Sequence, residues 1–444
     1  MNRFIFSGLA LCTFALAAPA QSQSPPVEML IRMNVQPMPE PKPALRYQLL
    51  PELREMNPGN PIPNYLKCVL EAEASTEPDN LSKFALQQAD RAARLDKADW
   101  QILLRAKTEG VYLLLPDVQK MRQLAAALQM RFRVEVNQRR FDDAIVTAKT
   151  MFAMSRHMGD HPTLIGELVG IAIATIAIGP LEEMLEQPGC PNLYWALTNL
   201  PHPFISTELG MQGERMLIQA ELQDLDDASP MTPEQIKKVT TRIDKLRDLE
   251  GGNNKKKEKT TREWLNEKVK EKGYLEASRG RLIEFGMSEE RLKEFPAEQV
   301  VLLDAKLDYE IRRDEAMKLL SLPTWIAINK LAAAEEAIKK DKDKSFFYFL
   351  LPAIIKVRTA QGRLEQRLAL LRCVEAIRMY AAEHKGKLPE KLADVNVPLS
   401  IDPFTGKPFR YQLDGETAHL RGSPPKGQEN IPVYNLHYEI TVQK

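Results

Sequence analysis

Six histidines bound the metal and acid–base chemistry open to this 444-residue chain. His157 and His161 stand four apart, the spacing that lets two imidazoles share a metal on one helix face. Gly159 and Pro162 break the helix that would align them, so the spacing loses that meaning. Glu416-Thr417-Ala418-His419 has the Glu-x-x-His spacing of a di-iron carboxylate site, which needs a helix and a second copy. Here it falls on a strand, alone, and His419 reads as a solvent-facing hairpin residue. The acidic pairs Asp142-Asp143 and Glu182-Glu183 fall on the polar sides of helices, where solvation accounts for them. A glycosidase pair stays open, because its two carboxylates need only meet in space.

No Gly-x-Ser-x-Gly elbow, His-Glu-x-x-His helix, phosphate-cradling loop or dinucleotide fingerprint follows a strand. No catalytic, cofactor-binding or metal-ligating residue is therefore assigned, no cofactor is expected, and the reading leans away from an enzyme. Cys68, Cys190 and Cys373 are too far apart for a Cys-x-x-Cys metal or redox pair. Their odd number leaves two readings: one long-range disulfide, or buried free thiols packed as small hydrophobes.

The residues around them define the setting. Met1-Asn2-Arg3, the apolar run Phe4–Ala17 and the small-x-small triplet Ala18-Pro19-Ala20 read as a cleavable secretory signal peptide over 1–20. Leu11 stands before Cys12 where a lipidation site wants a small residue. The chain carries 61 basic and 60 acidic side chains. Removing Arg3 with the signal leaves 60 of each, and a neutral chain is a poor nucleic-acid ligand, since that binding neutralises phosphates. The expected location is the periplasm or the cell exterior.

From Gln21 to about Pro63 ten prolines predict an extended, mostly irregular arm, because proline lacks an amide donor. Helical periodicity then runs to about His384. Val118, Met121, Ala125, Leu128 and Phe132 share one face of Asp117–Asn137, and Phe141–Arg156 repeats the pattern. Leu164–Ile178 is the most apolar stretch, ending at Gly179-Pro180. It predicts a central buried helix rather than a membrane span, with Gly166 and Gly170 permitting close helix approach. Thr232-Pro233-Glu234-Gln235 is a capping-box start. The region 211–344 is highly charged, with Gly251–Asn254 as a break, Lys255–Lys259 as a solvated turn and Lys339–Lys344 as an exposed connector.

At the C-terminus a short apolar run, Ser345–Ile355, leads into a long helix carrying two apolar stripes: Leu370, Cys373, Val374, Ile377, Tyr380 and Ala381, then Leu364, Leu368 and Leu371. Three alternating segments follow around Tyr411, Leu420 and Tyr438, with a hairpin turn at Asp414-Gly415. The helix pair joined at Gln138-Arg139-Arg140 resembles one unit of a tetratricopeptide array. Leu350-Leu351-Pro352-Ala353, Ala376-Ile377-x-x-Tyr380, Gly386-Lys387-Leu388-Pro389 and Asp402–Tyr411 resemble the type IV pilin and type II secretion pseudopilin family. The resemblance implies one helix packed on a small sheet. The family's calcium loop would fall at 422–430, which has Glu429 and Asn430 but no paired aspartates, so that site is not carried over.

The expected fold is mainly α: a multi-helix, helical-hairpin or repeat-like body ending in a C-terminal α+β module of one long helix on a three-stranded antiparallel sheet. The expected segments are 1–20 signal, 21–63 arm, 64–210 helical domain, 211–344 charged helices and 345–444 pilin-like module. The expected role is an exported, non-enzymatic scaffold binding other proteins or envelope components, without nucleic acid and without a stable membrane span in the mature chain. An accessory part in a secretion or pilus-like machine, or an enzyme with an unrecognised site, are the alternatives.

Overall fold

The computed structural model describes residues 27–73, 83–226, 229–250, 259–340, 347 and 353–443. The expected signal peptide, the break at 251–254, most of the turn at 255–259, the connector at 341–344 and most of the apolar run before Ala353 lie outside these residues.

The first element is a strand where an irregular arm was expected. β1 (Met29–Val35) lies between Pro26 and Pro37, in a proline-free window. Every residue there keeps its amide donor, so the window can join a ladder. Met33 and Val35 turn to the interior while Arg32 and Asn34 face out. The helices follow in order: α1 (Ile62–Glu73), α2 (Lys83–Ala92), α3 (Leu103–Glu109), a short 3-10 turn (Gly110–Tyr112), α4 (Pro116–Asn137), α5 (Phe141–Gly159), α6 (Leu164–Leu185) and α7 (Tyr194–Thr198). Next come α8 (Glu208–Leu222), α9 (Pro233–Glu250), α10 (Thr261–Lys270), α11 (Tyr274–Glu284), α12 (Glu289–Glu294), α13 (Ala297–Met317), α14 (Thr324–Lys340) and the long α15 (Ala353–Glu383). β2 (Arg410–Asp414), β3 (Thr417–Arg421) and β4 (Leu436–Val442) close the chain. The chain is mainly helical with a small C-terminal sheet.

That sheet has four strands in the order β1-β4-β3-β2. The three C-terminal strands form the expected antiparallel meander, with Asp414 opposite Thr417, so the two-residue turn is Gly415-Glu416, one position later than expected. β1 adds itself in parallel to β4, pairing Met29 with Leu436 and Val35 with Val442. A parallel partner distant in sequence leaves no local turn signal, which is why three strands rather than four were legible.

α15 is buried on two sides, as its stripes predict: Leu364, Leu368, Leu370, Leu371, Cys373, Val374 and Ile377 are all buried. One apolar core joins Met33 and Val35 of β1, Phe132 of α4, Phe152 of α5, Ile173 of α6, Val374 of α15 and Tyr438 of β4. The expected arm, helical domain and C-terminal module all contribute to it. The charged region has a smaller core of its own, in which Ile218, Leu222, Ile243, Leu265, Val300 and Tyr309 pack with Phe347. Its charges therefore coat packed helices.

α6 is the one helix among the described residues long and apolar enough to cross a membrane, with 67% of that apolar window buried against protein. Thr163 caps its start, accepting from the Gly166 amide at 3.2 Å. The helix also continues through Pro180. The proline cannot donate to Ile176, and Gln129 of α4 supplies the missing hydrogen to the Ile176 carbonyl at 3.0 Å. Gly170 makes the close approach expected of it: a Cβ there would stand 2.8 Å from the Ser155 carbonyl of α5.

Candidate functional site

Local chemistry sets the geometry of an open groove between α8 and α9. The Thr232 hydroxyl accepts from the Gln235 amide at 3.2 Å, and the Gln235 side chain accepts from the Thr232 amide at 2.7 Å. This is the capping box read in the sequence, and it fixes where α9 begins. Downstream the α9 surface carries Glu234, Lys237, Lys238, Thr241, Arg242 and Lys245 into a groove of about 510 Å³ completed by Glu221 of α8 and Tyr112. Arg242 bonds the Glu221 carbonyl at 3.1 Å and lies 3.1 Å from Asp224. Lys237 and Lys245 are exposed and make no ion pair among the described residues. The groove therefore offers two uncommitted lysines beside one exposed carboxylate, Glu234.

Gly110 holds the other wall in place. Its φ is +56°, and a Cβ would meet Glu221 Oε1 at 2.2 Å, so only glycine fits. Along the same segment Leu103, Leu104, Tyr112 and Leu114 are 55%, 75%, 45% and 55% exposed. Four large exposed side chains thus fall within twelve residues, and one of them, Tyr112, lines the groove.

The outer face of the sheet holds a second constellation. His419 on β3 sits directly opposite Glu439 on β4, and His437 lies two residues before Glu439 on the same face. His419 Nδ1 is 3.0 Å from His437 Nε2, while His437 Nδ1 is 2.6 Å from a Glu28 carboxylate oxygen. Potential ligand atoms of His419, His437 and Glu439 all lie within 4.8 Å of one another. Arg421 braces Glu28 at 3.2 Å and Arg32 braces Glu439 at 3.1 Å. Burial, together with Arg421, pushes the His437 imidazole below its ordinary pKa, which favours the neutral ring. His419 thus belongs to a cluster rather than standing alone on a hairpin face.

The interior holds the other titratable groups. The His157 ring bonds the Tyr65 hydroxyl at 3.0 Å, and Thr163 bonds the His161 ring at 2.8 Å. Each imidazole has its own partner, as the helix break between them implies. Burial pushes both down to about 4. Glu167, in the first turn of α6, is pushed up to about 8 by burial. Its Oε1 accepts from the Gly210 amide at 2.5 Å, while its Oε2 finds no partner among the described residues. Asp142 and Asp143 are exposed, as expected. Glu182 is not: it is buried and bonded to Arg367 of α15 and Tyr438 of β4. The arrival of α15 covers what helix periodicity marks as a polar face.

All three described cysteines are buried and unpaired, so the free-thiol reading holds and the disulfide does not form. No family model, curated protein or solved structure matches this chain. The geometry alone carries the functional argument. The groove needed α8, α9 and the turn at Tyr112 together, and the histidine pair needed the β3–β4 register; neither association has a local sequence signal.

Proposed function

We propose that this chain is an exported, non-enzymatic helical scaffold that docks another protein of the cell envelope, and that the partner binds at the α8–α9 groove. The observation that carries the reading is a groove lined by the unpartnered Lys237 and Lys245 and by Tyr112, on a segment that also exposes Leu103, Leu104 and Leu114. The complementary ligand is an acidic segment with apolar side chains, steered by the lysines and anchored by the leucines and tyrosine. Glu221 does not cancel that charge, because it faces the Val111 amide at 3.4 Å and lies 4.0 Å from Arg242.

The test is photocrosslinking from position 104 in envelope extract. The same defined adduct should form repeatedly with the wild-type chain, vanish in K237E/K245E and persist in a charge reversal at Arg32 on the sheet. Adducts equally abundant in the groove variant, or no adduct at all, would contradict the proposal.

A further inference from the structure

We infer that His419, His437 and Glu439 form a binding site for a divalent transition-metal ion, with Glu28 as its orienting carboxylate and zinc as the best-fitting cation. The site is distinct from the groove and stands whether or not the groove binds a protein.

The orientation of the His437 ring is the first support. Glu28 Oε2 lies 2.6 Å from His437 Nδ1, and an ionised carboxylate only accepts, so Nδ1 carries the hydrogen. The Nε2 lone pair then accepts from His419 Nδ1, 3.0 Å away, and becomes available to a metal once that hydrogen moves. A carboxylate holding the far nitrogen of a ligating imidazole is the recurrent outer shell of zinc sites, where it fixes the tautomer and strengthens the ligand. Glu28 is itself held by Arg421 at 3.2 Å.

Spacing is the second support. Two nitrogens on a tetrahedral zinc, each about 2.0–2.1 Å from the metal, stand about 3.3 Å apart. The observed 3.0 Å needs an opening of a few tenths of an ångström. Glu439 Oε1 lies 3.9 Å from His419 Nδ1, while Arg32 engages the other oxygen, so one carboxylate oxygen remains for the metal. Ion entry needs no net proton loss: the hydrogen that His419 Nδ1 shares with His437 moves to His419 Nε2, and both rings stay neutral. Two imidazoles and one carboxylate leave a fourth position for water or an exogenous ligand, and that donor set favours zinc, cobalt, nickel or copper over magnesium or calcium. Rigid strands carry all three ligands, and β3 and β4 are hydrogen-bonded neighbours, so the set is preorganised.

The experiment titrates the full, tag-free, chelator-stripped chain with Zn2+ by calorimetry and with Co2+ by visible absorption. One ion per chain should bind, and cobalt should give the intense visible band of a four-coordinate site. H419A and H437A should each weaken binding by about 100-fold or more, and E28A by about 10- to 100-fold. H384A, at an exposed histidine outside the cluster, should bind as wild type. H419A removes a partly exposed ring, so it reports on binding even if H437A unfolds; circular dichroism verifies the fold of each variant. Absence of saturable one-to-one binding by the wild-type chain, or equal binding by H419A, would overturn the site.

Discussion

Arg367 on α15 holds Glu182 of α6 with two guanidinium nitrogens, its Nε 2.9 Å from Oε1, and the Tyr438 hydroxyl of β4 donates to the same oxygen. Helix body, long helix and sheet meet at this one carboxylate. A buried charge left without its partner is costly, whereas replacing both partners with apolar groups is often neutral. Arg367→Ala should therefore cost about 3–5 kcal/mol in urea unfolding. Arg367→Met combined with Glu182→Leu should recover most of that. A loss below about 1 kcal/mol for the single variant would show that the three layers do not depend on the pair.

Opposed buried titrations shape the pH dependence. An unfolded chain protonates His157 and His161 below about 6.5, but the folded chain keeps them neutral to about 4. Their contribution is complete above 6.5 and falls as pH drops towards 4. Glu167 acts in the other direction: its unfolded carboxyl ionises near 4.5 and its folded one near 8, so its contribution is complete below 4.5 and lost as pH rises through 8. Glu167→Gln should gain on the wild type by about 1.4 kcal/mol per pH unit across that window. Denaturation curves at pH 5, 6, 7 and 8, taken as about one-unit steps of that linkage, measure it. A pH-independent difference would contradict the burial of Glu167.

Burial also silences the thiols, pushing Cys68, Cys190 and Cys373 each up to about 12. A thiol reagent that attacks thiolate should modify none of them quickly in the native chain. In denaturant three thiols should react, the number left of four once Cys12 has gone with a cleaved signal. Four would show that residues 1–20 are retained, and rapid native modification would contradict the packing.

Gly110 lies against Glu221 of the groove wall, with positive φ and the Glu221 carboxylate where a methyl group would stand. Gly110→Ala should cost about 1–2 kcal/mol from backbone strain, and more from the displaced carboxylate. It should also weaken partner capture from position 104, while Gly427→Ala, at another positive-φ position with open space around it, should leave capture unchanged. Equal capture by both would separate the wall from the binding surface.

Much of the helical body is legible because its signals are local. Two apolar stripes on 364–381 announce a helix buried on both sides, and Thr232-Pro233-Glu234-Gln235 announces the start of α9. Alternation of Met29, Ile31, Met33 and Val35 is also a strand signal, yet the surrounding prolines outweigh it, and its partner β4 lies at the far end of the chain. Pro180 suggests a helix end because the compensating donor, Gln129, belongs to another helix. Glu182 reads as solvated until α15 covers it. His419 and His437 are 18 residues apart, and only the strand register brings their rings together. What escapes the sequence is in each case a partner supplied from a distance.

The central claim is that Lys237 and Lys245 make the α8–α9 groove a docking surface for an acidic protein segment. The direct measurement is the dissociation constant of the partner captured from position 104, titrated against the wild-type chain and K237E/K245E. Reversal of both charges should weaken binding by about tenfold or more, with a shallower salt dependence. Affinities within about twofold of one another at the same ionic strength would contradict it.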